Sequence, residues 1–522
     1  DPVAVDTLTS VPTVALEEAD AGASGTIVAP TSITLTDRAG DMVISLDAAV
    51  STDTFLATSS GEIDVQGLSV SNGATDSQTT LRGTNGVTFT TAASSVDNLT
   101  IDNSASVTQD AAGTITASGA TDITGSGAVT LDADNDFQGT VTVEAVGVTL
   151  NDVNALTTGY ILSYEGYGYG YGNYGAYSGY TAGVTLSAGG VLSAGRTIGA
   201  TISVTGTGGV TQTDDITATG DLTVNAAANN ITLTYGNNVA GRVDLTGNDI
   251  VFNHSGDVQL GAVTATGGLI VTAGAITDTV GQTIDVDGQS SFTAYDGGDQ
   301  NITLTNAQTH DFTGRVDATG ADIAIDALGA LTLGTVTASG DLDLRTRAGA
   351  IIDSGYLVDV TGGATLRAEN TAGDTFFDIL LDSDADTFRL DVGGDIVATG
   401  LNITLIEEGD VSLTTATAAG ALSVESATGA VNVGAINSVD GITIEAVGDI
   451  TQTGGTGITA GGNGSLTSSA GNVSLTSVLN DFADTGSGYA TAASGGVIEI
   501  TDSGSLSLGA ITATTSATII AE

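Results

Sequence analysis

Cysteine, lysine and tryptophan are absent from the 522 residues, while histidine occurs twice and proline three times. The lack of cysteine excludes a disulfide framework, a thiolate metal site and a cysteine nucleophile together. Without lysine, the nine basic residues are all arginine, at 38, 82, 196, 242, 315, 345, 347, 367 and 389. They face 61 acidic residues, for a formal charge of −52. A nucleic-acid binder needs a basic face to displace counterions, so nucleic acid is excluded as a partner, and anionic membrane surfaces are poor ones. Two distant histidines leave little for zinc or iron. No stretch approaches the roughly 18 apolar residues of a membrane span, so membrane insertion is not expected, and the opening residues lack the pattern of a signal peptide.

What is present suits a folded, all-β chain. Hydrophobic residues make up 41%, enough to bury a core and unlike a disordered chain. Segments such as DLTVNA, NITLTY, RVDLTG and GITIEA alternate aliphatic with polar residues at period two, bounded by Gly, Asn, Asp and Ser. The 74 glycines would each cost a helix interior about 1 kcal/mol. Most of the acid is Asp rather than Glu, and a short carboxylate bonds backbone amides in turns.

Self-similarity narrows the architecture. VQLGAVTATGGLIVTAGAITD around Gly261 returns around Gly334, Gly434 and Gly509, spaced 73, 100 and 75 residues apart. A phrase opening at Asn135 as NDFQGTV returns at His310 as HDFTGRV and at Asn480 as NDFADTG. Smaller intervals read as multiples of a unit of about 20 to 25 residues, one coil of a solenoid. The expected fold is a parallel β-solenoid. Tandem β-sandwiches are the alternative, but they favour a buried Trp and core aromatics, whereas aromatics here are 4%.

The phrases at 301–316, 330–344 and 448–452 resemble the β-helical repeat regions of filamentous-haemagglutinin-like bacterial surface proteins and related β-strand-repeat exoproteins. That resemblance implies a secreted, right-handed β-helix serving as an adhesive or structural rod, with no catalytic residues to carry over.

Residues 160–180 hold eight of the twelve tyrosines: Tyr160, Tyr164, Tyr167, Tyr169, Tyr171, Tyr174, Tyr177 and Tyr180. Flat amphipathic rings on a pliable glycine backbone suit contact with another subunit or a matrix; the plainer reading is a low-complexity loop. Alternate aspartates, Asp132, Asp134 and Asp136, then Asp285 and Asp287, then Asp382, Asp384 and Asp386, would share one side of a strand. Calcium is the cation such oxygens would take, although no known calcium-loop spacing is present and a solvated acidic face explains them as well. His254 and His310 read as surface residues at strand ends. Arg345 and Arg347 read as structural ion-pair formers with Asp341 or Asp343.

The chain therefore divides into residues 1–30, a leader or subunit-docking strand; 31–159, a first solenoid part; 160–180, the tyrosine-rich insertion; and 181–522, a second solenoid part. The expected function is that of a non-catalytic extracellular structural protein without cofactor, assembling with itself end to end into a cell-surface filament, sheath or matrix. An adhesin stalk binding a glycan or host surface, a surface-layer protein and a polysaccharide-degrading enzyme are the competing expectations.

Overall fold

Alternation at period two produces strands throughout. The computed structural model describes residues 4–8, 13–18, 22–27, 32–38, 40–45, 50–74, 76–164, 182–306, 309–382, 390–482 and 490–521, and no helix occurs among them. Two units are distinguished, Asp1–Ser255 and Gly256–Glu522. Each is a parallel β-solenoid.

In the second unit, Ile323–Ala327 pairs with Leu342–Thr346, which pairs in turn with Ala364–Ala368. The chain between these strands supplies two further sides of the coil. The eight-residue strand Leu331–Ala338 accepts Ile351–Asp353 on its first half and Val358–Val360 on its second. Val258–Ala265 and Val431–Ser438 are divided between two shorter strands in the same way. In the first unit, Val129–Phe137 pairs with Val107–Gln109 and Ile115–Ala117. Each coil thus carries three strand segments, and successive partners lie about one coil apart: Val411 faces Val431, and Ile450 faces Val473.

The repeated glycine marks the bend within the long strand. A Cβ on Gly434 would meet the Thr414 carbonyl oxygen at 2.1 Å, and one on Gly334 would meet the Asp317 carboxylate. Only glycine lets the chain turn that close to the preceding coil.

Direct register stacks like on like inside. Ile323, Leu342, Ala364, Ile396, Leu413 and Val433 form one ladder, and all are buried. Burying each Leu or Ile stabilises the fold by about 2 kcal/mol. In residues 1–30, Thr13–Glu18 pairs in parallel with Ser32–Asp37, and Gly22–Ile27 with Met42–Ile44.

Candidate functional site

The polar side chains with chemical potential are held between coils. At the corners, an Asp or Asn accepts the backbone N–H of a residue about one coil later. Asp41 Oδ1 accepts from Glu62 at 2.8 Å, Asp221 from Arg242 at 2.9 Å, Asp257 from Ala275 at 2.8 Å and Asp410 from Ala430 at 2.7 Å. The caps also run in series: Asp322 receives Asp341 N–H at 3.0 Å, and Asp341 receives Gly363 N–H at 2.8 Å. Asn98, Asn402 and Asn472 do the same work. Asp is enriched because its short arm places an oxygen against the next coil while the backbone stays extended.

A second device is buried. Asn135 and Gln109 exchange amide hydrogen bonds at 2.8 and 3.0 Å, and Asn135 Oδ1 also accepts Ile115 N–H at 2.8 Å. Asn237 with Gln212 and Ile216 repeats this arrangement, as does Asn480 with Gln452 and Ile458. In a fourth coil His310 stands for the Asn and Asp278 for the Gln. His310 Nδ1 accepts Ile284 N–H at 3.0 Å, so its proton sits on Nε2 and is donated to Asp278 Oδ2 at 2.8 Å. Burial pushes the Asp278 carboxyl up, but hydrogen bonds from His310, Thr305 and Asn306 outweigh it and hold it below the usual carboxylate value.

Two residues beyond each of the three Asn positions the backbone N–H is also capped. Phe137 donates to Asp152, Val239 to His254 Nε2 and Phe482 to Asp502, at 2.7 to 2.8 Å. Val392 donates to Glu407 Oε1 at 2.7 Å. Burial, with Asp391 and Glu408 nearby, pushes Glu407 up to about 8.

These contacts correct several expectations. His254 and His310 are buried, at 8% and 0% exposure, because each is a backbone acceptor between coils. Arg345 and Arg347 do form ion pairs, with different partners: Arg347 binds Asp326 in a buried pair, Arg345 lies 3.9 Å from Glu369, and Asp343 is taken by Arg367 at 2.9 Å. The partner comes from a neighbouring coil because outward side chains one coil apart are direct neighbours.

Asp132 and Asp134 are exposed, and Asp136 accepts from Gln138 and Asn154. Asp285 is the register partner of Asp311, and burial, Asp287 and Asp311 together raise its carboxyl. Asp382 is exposed; Asp384 and Asp386 lie outside the described residues. Among the described residues, no group of three or more His, Cys, Asp or Glu converges to hold a metal ion. Tyr160 ends up in register with Arg196, and the Tyr164 hydroxyl donates to Gly125 O at 3.4 Å. Tyr167, Tyr169, Tyr171, Tyr174, Tyr177 and Tyr180 lie outside the described residues. Val148 pairs directly with Val184, 36 residues on, where Val184 reaches its next partner, Ile202, in 18. A depression of about 280 Å³ is lined by Asp449, Thr451, Asn472, Ser474 and Glu499; Asp449 and Asn472 are already engaged as corner caps.

Residues 76–144, 181–246, 247–319, 320–394 and 419–487 each match the family described as Repeats of unknown function (DUF5649). The chain belongs to that family. No curated protein and no solved structure matches it. Every DUF5649 stretch contains one long strand divided between two shorter partners or one buried amide position, and most contain both. The Gln109–Asn135, Gln212–Asn237, Asp278–His310 and Gln452–Asn480 pairs fall one to a repeat. In the repeat at 320–394, Leu390 occupies the equivalent position, two residues before Val392. The NDF phrase is plain in the sequence, whereas the burial of its amide is not. The signal was the recurring Gln of VTQ and ITQ, about one coil before each NDF.

Proposed function

We propose that this DUF5649 chain is a non-catalytic structural protein of the cell exterior, whose solenoid units assemble end to end with further copies into a filament, sheath or matrix. The observation that carries the reading is the use made of its polar side chains. Both histidines, the buried Arg347 and the corner aspartates bond neighbouring coils, so these groups are engaged in stacking. A catalytic group must instead reach a substrate from a cleft with its pKa matched to the task. The resemblance of the repeat phrases to those of filamentous-haemagglutinin-like surface proteins supports placement outside the cell, as does a chain without cysteine or lysine.

End-to-end contact between copies would pair strand edge with strand edge, as parallel strands do readily. High negative charge opposes such contact at low salt, so divalent cations should favour it. The test is negative-stain electron microscopy of the purified chain at low salt, with and without millimolar calcium. Filaments or sheets that lengthen with calcium support the reading. Separate particles under every condition contradict it and favour an adhesin stalk.

A further inference from the structure

The outward side of the first unit carries a column of hydroxyls running through successive coils. Thr88 is the direct register partner of Thr108, Thr108 of Thr130, Thr130 of Thr149, Thr149 of Thr185, Thr185 of Ser203, and Ser203 of Thr223. Two residues along the same strands, Asn151, Ser187, Thr205, Asn225 and Thr246 form a parallel column. Neighbours within a column stand about 4.8 Å apart, and the columns about 6.6 Å, because these are the strand spacing and twice the strand rise. Asp64 and Asp244 bound the first column. Between them its members are uncharged, in a chain whose formal charge is −52.

Five hydroxyls of the first column are also free to bond outward. Thr185 and Thr223 are exposed, while Thr130, Thr149 and Ser203 are half-buried by their neighbours. Among the described residues no hydrogen bond within the chain engages the side chains of these five. At the first end of the column Thr88 is tied to Glu62 and Thr108, and beside it Thr90 is tied to Asp64. Threonine further holds its hydroxyl and methyl in fixed places, since its branched side chain is stiff at χ1.

We infer that these two columns form an ice-binding face. A second protein copy laid here would bury hydroxyls without assured partners, at a cost for each. A soluble sugar would exchange hydroxyl–water bonds for hydroxyl–hydroxyl bonds of similar strength, and neither column itself contains an aromatic side chain to add affinity. A lattice of water differs, because many weak bonds add only when donor and ligand share a repeat. Register partners at the strand spacing lie close to the short oxygen repeat of ice, and an uncharged column does not hold the disordered hydration shell that ions keep.

The purified full chain tests this by nanolitre osmometry with observation of crystal shape. Wild-type protein is expected to facet ice and to hold growth below the melting point. Thr185→Tyr, a strand-favouring substitution whose ring stands off the face, lowers that hysteresis severalfold. Ala324→Tyr, outward on the second unit, leaves it unchanged. Thr149→Arg replaces T185Y should circular dichroism show the latter misfolded. Unshaped ice with the wild type, or unchanged hysteresis in a folded face variant, overturns the inference and leaves the structural reading untouched.

Discussion

His310 and Asp278 form a fully buried pair, 2.8 Å apart, at the place where other coils hold an Asn and a Gln. Their ring and carboxylate reproduce the amide geometry with a proton that is held in place: Nδ1 is occupied by Ile284 N–H and Nε2 by Asp278. Removing His310 leaves the Ile284 N–H without its acceptor and takes one donor from the buried Asp278 carboxylate. We expect His310→Ala to cost about 3 kcal/mol in chemical denaturation. The double change Asp278→Gln with His310→Asn restores the pair found in three other repeats and should recover most of that loss. Failure of the double variant to recover stability would show that the two kinds of pair are not equivalent.

The same carboxylate sets an acid dependence. Asp278 is held below its ordinary 3.8 in the folded chain, so its contribution is present above that pH and disappears as pH falls through the lowered value. The Gln–Asn double variant lacks this component, and its melting temperature should fall less between pH 4 and pH 2 than that of the wild type. Equal acid profiles would contradict the assignment.

Glu407 has the opposite sign. Its carboxyl is raised from 4.5 to about 8, with Oε1 accepting from Val392 and Oε2 buried without a partner among the described residues. The folded chain holds the proton more tightly than the unfolded one. Stability is therefore greatest below pH 4.5 and falls as pH rises towards 8. Glu407→Gln keeps the amide oxygen for Val392 and cannot ionise, so it should gain stability on the order of 2–3 kcal/mol at pH 8.5 and little at pH 4. Urea titrations at the two pH values measure the difference.

Gly434 is expected to be intolerant of a side chain. A methyl there meets backbone at 2.1 Å, whereas one on Gly409 meets nothing within 4 Å. Gly434→Ala should cost about 2 kcal/mol or more through overpacking, and Gly409→Ala should change the melting temperature little. Similar losses at both sites would mean that the bend does not need glycine.

The fold was legible because its code is local. Alternation in segments such as Leu342–Thr346 and the glycine of each long strand appear directly in the chain. Partnership between coils was less legible, since the step from one residue to its neighbour varies: 17 residues from Ile396 to Leu413, 22 from Leu342 to Ala364 and 32 from Ala364 to Ile396. For that reason the local sequence points Arg347 to Asp341 or Asp343, while in the fold it pairs with Asp326, one coil back. The burial of His310 is hidden in the sequence for a different reason. It replaces the Asn of a repeated phrase, and such a swap marks a buried position filled by another acceptor, although the residue type taken alone suggests the surface.

The claim that aspartates join the coils is tested most directly by hydrogen exchange of the corner amides. Gly363 N–H donates to Asp341 Oδ1 at 2.8 Å and Ala430 N–H to Asp410 Oδ1 at 2.7 Å. Both should be protected in the wild type, and Asp341→Ala should free Gly363 while leaving Ala430 protected, at a cost of about 1 kcal/mol. Asp341→Asn, which keeps the accepting oxygen, should retain protection. Rapid exchange at Gly363 and Ala430 in the wild type, beside protected strands, would contradict it.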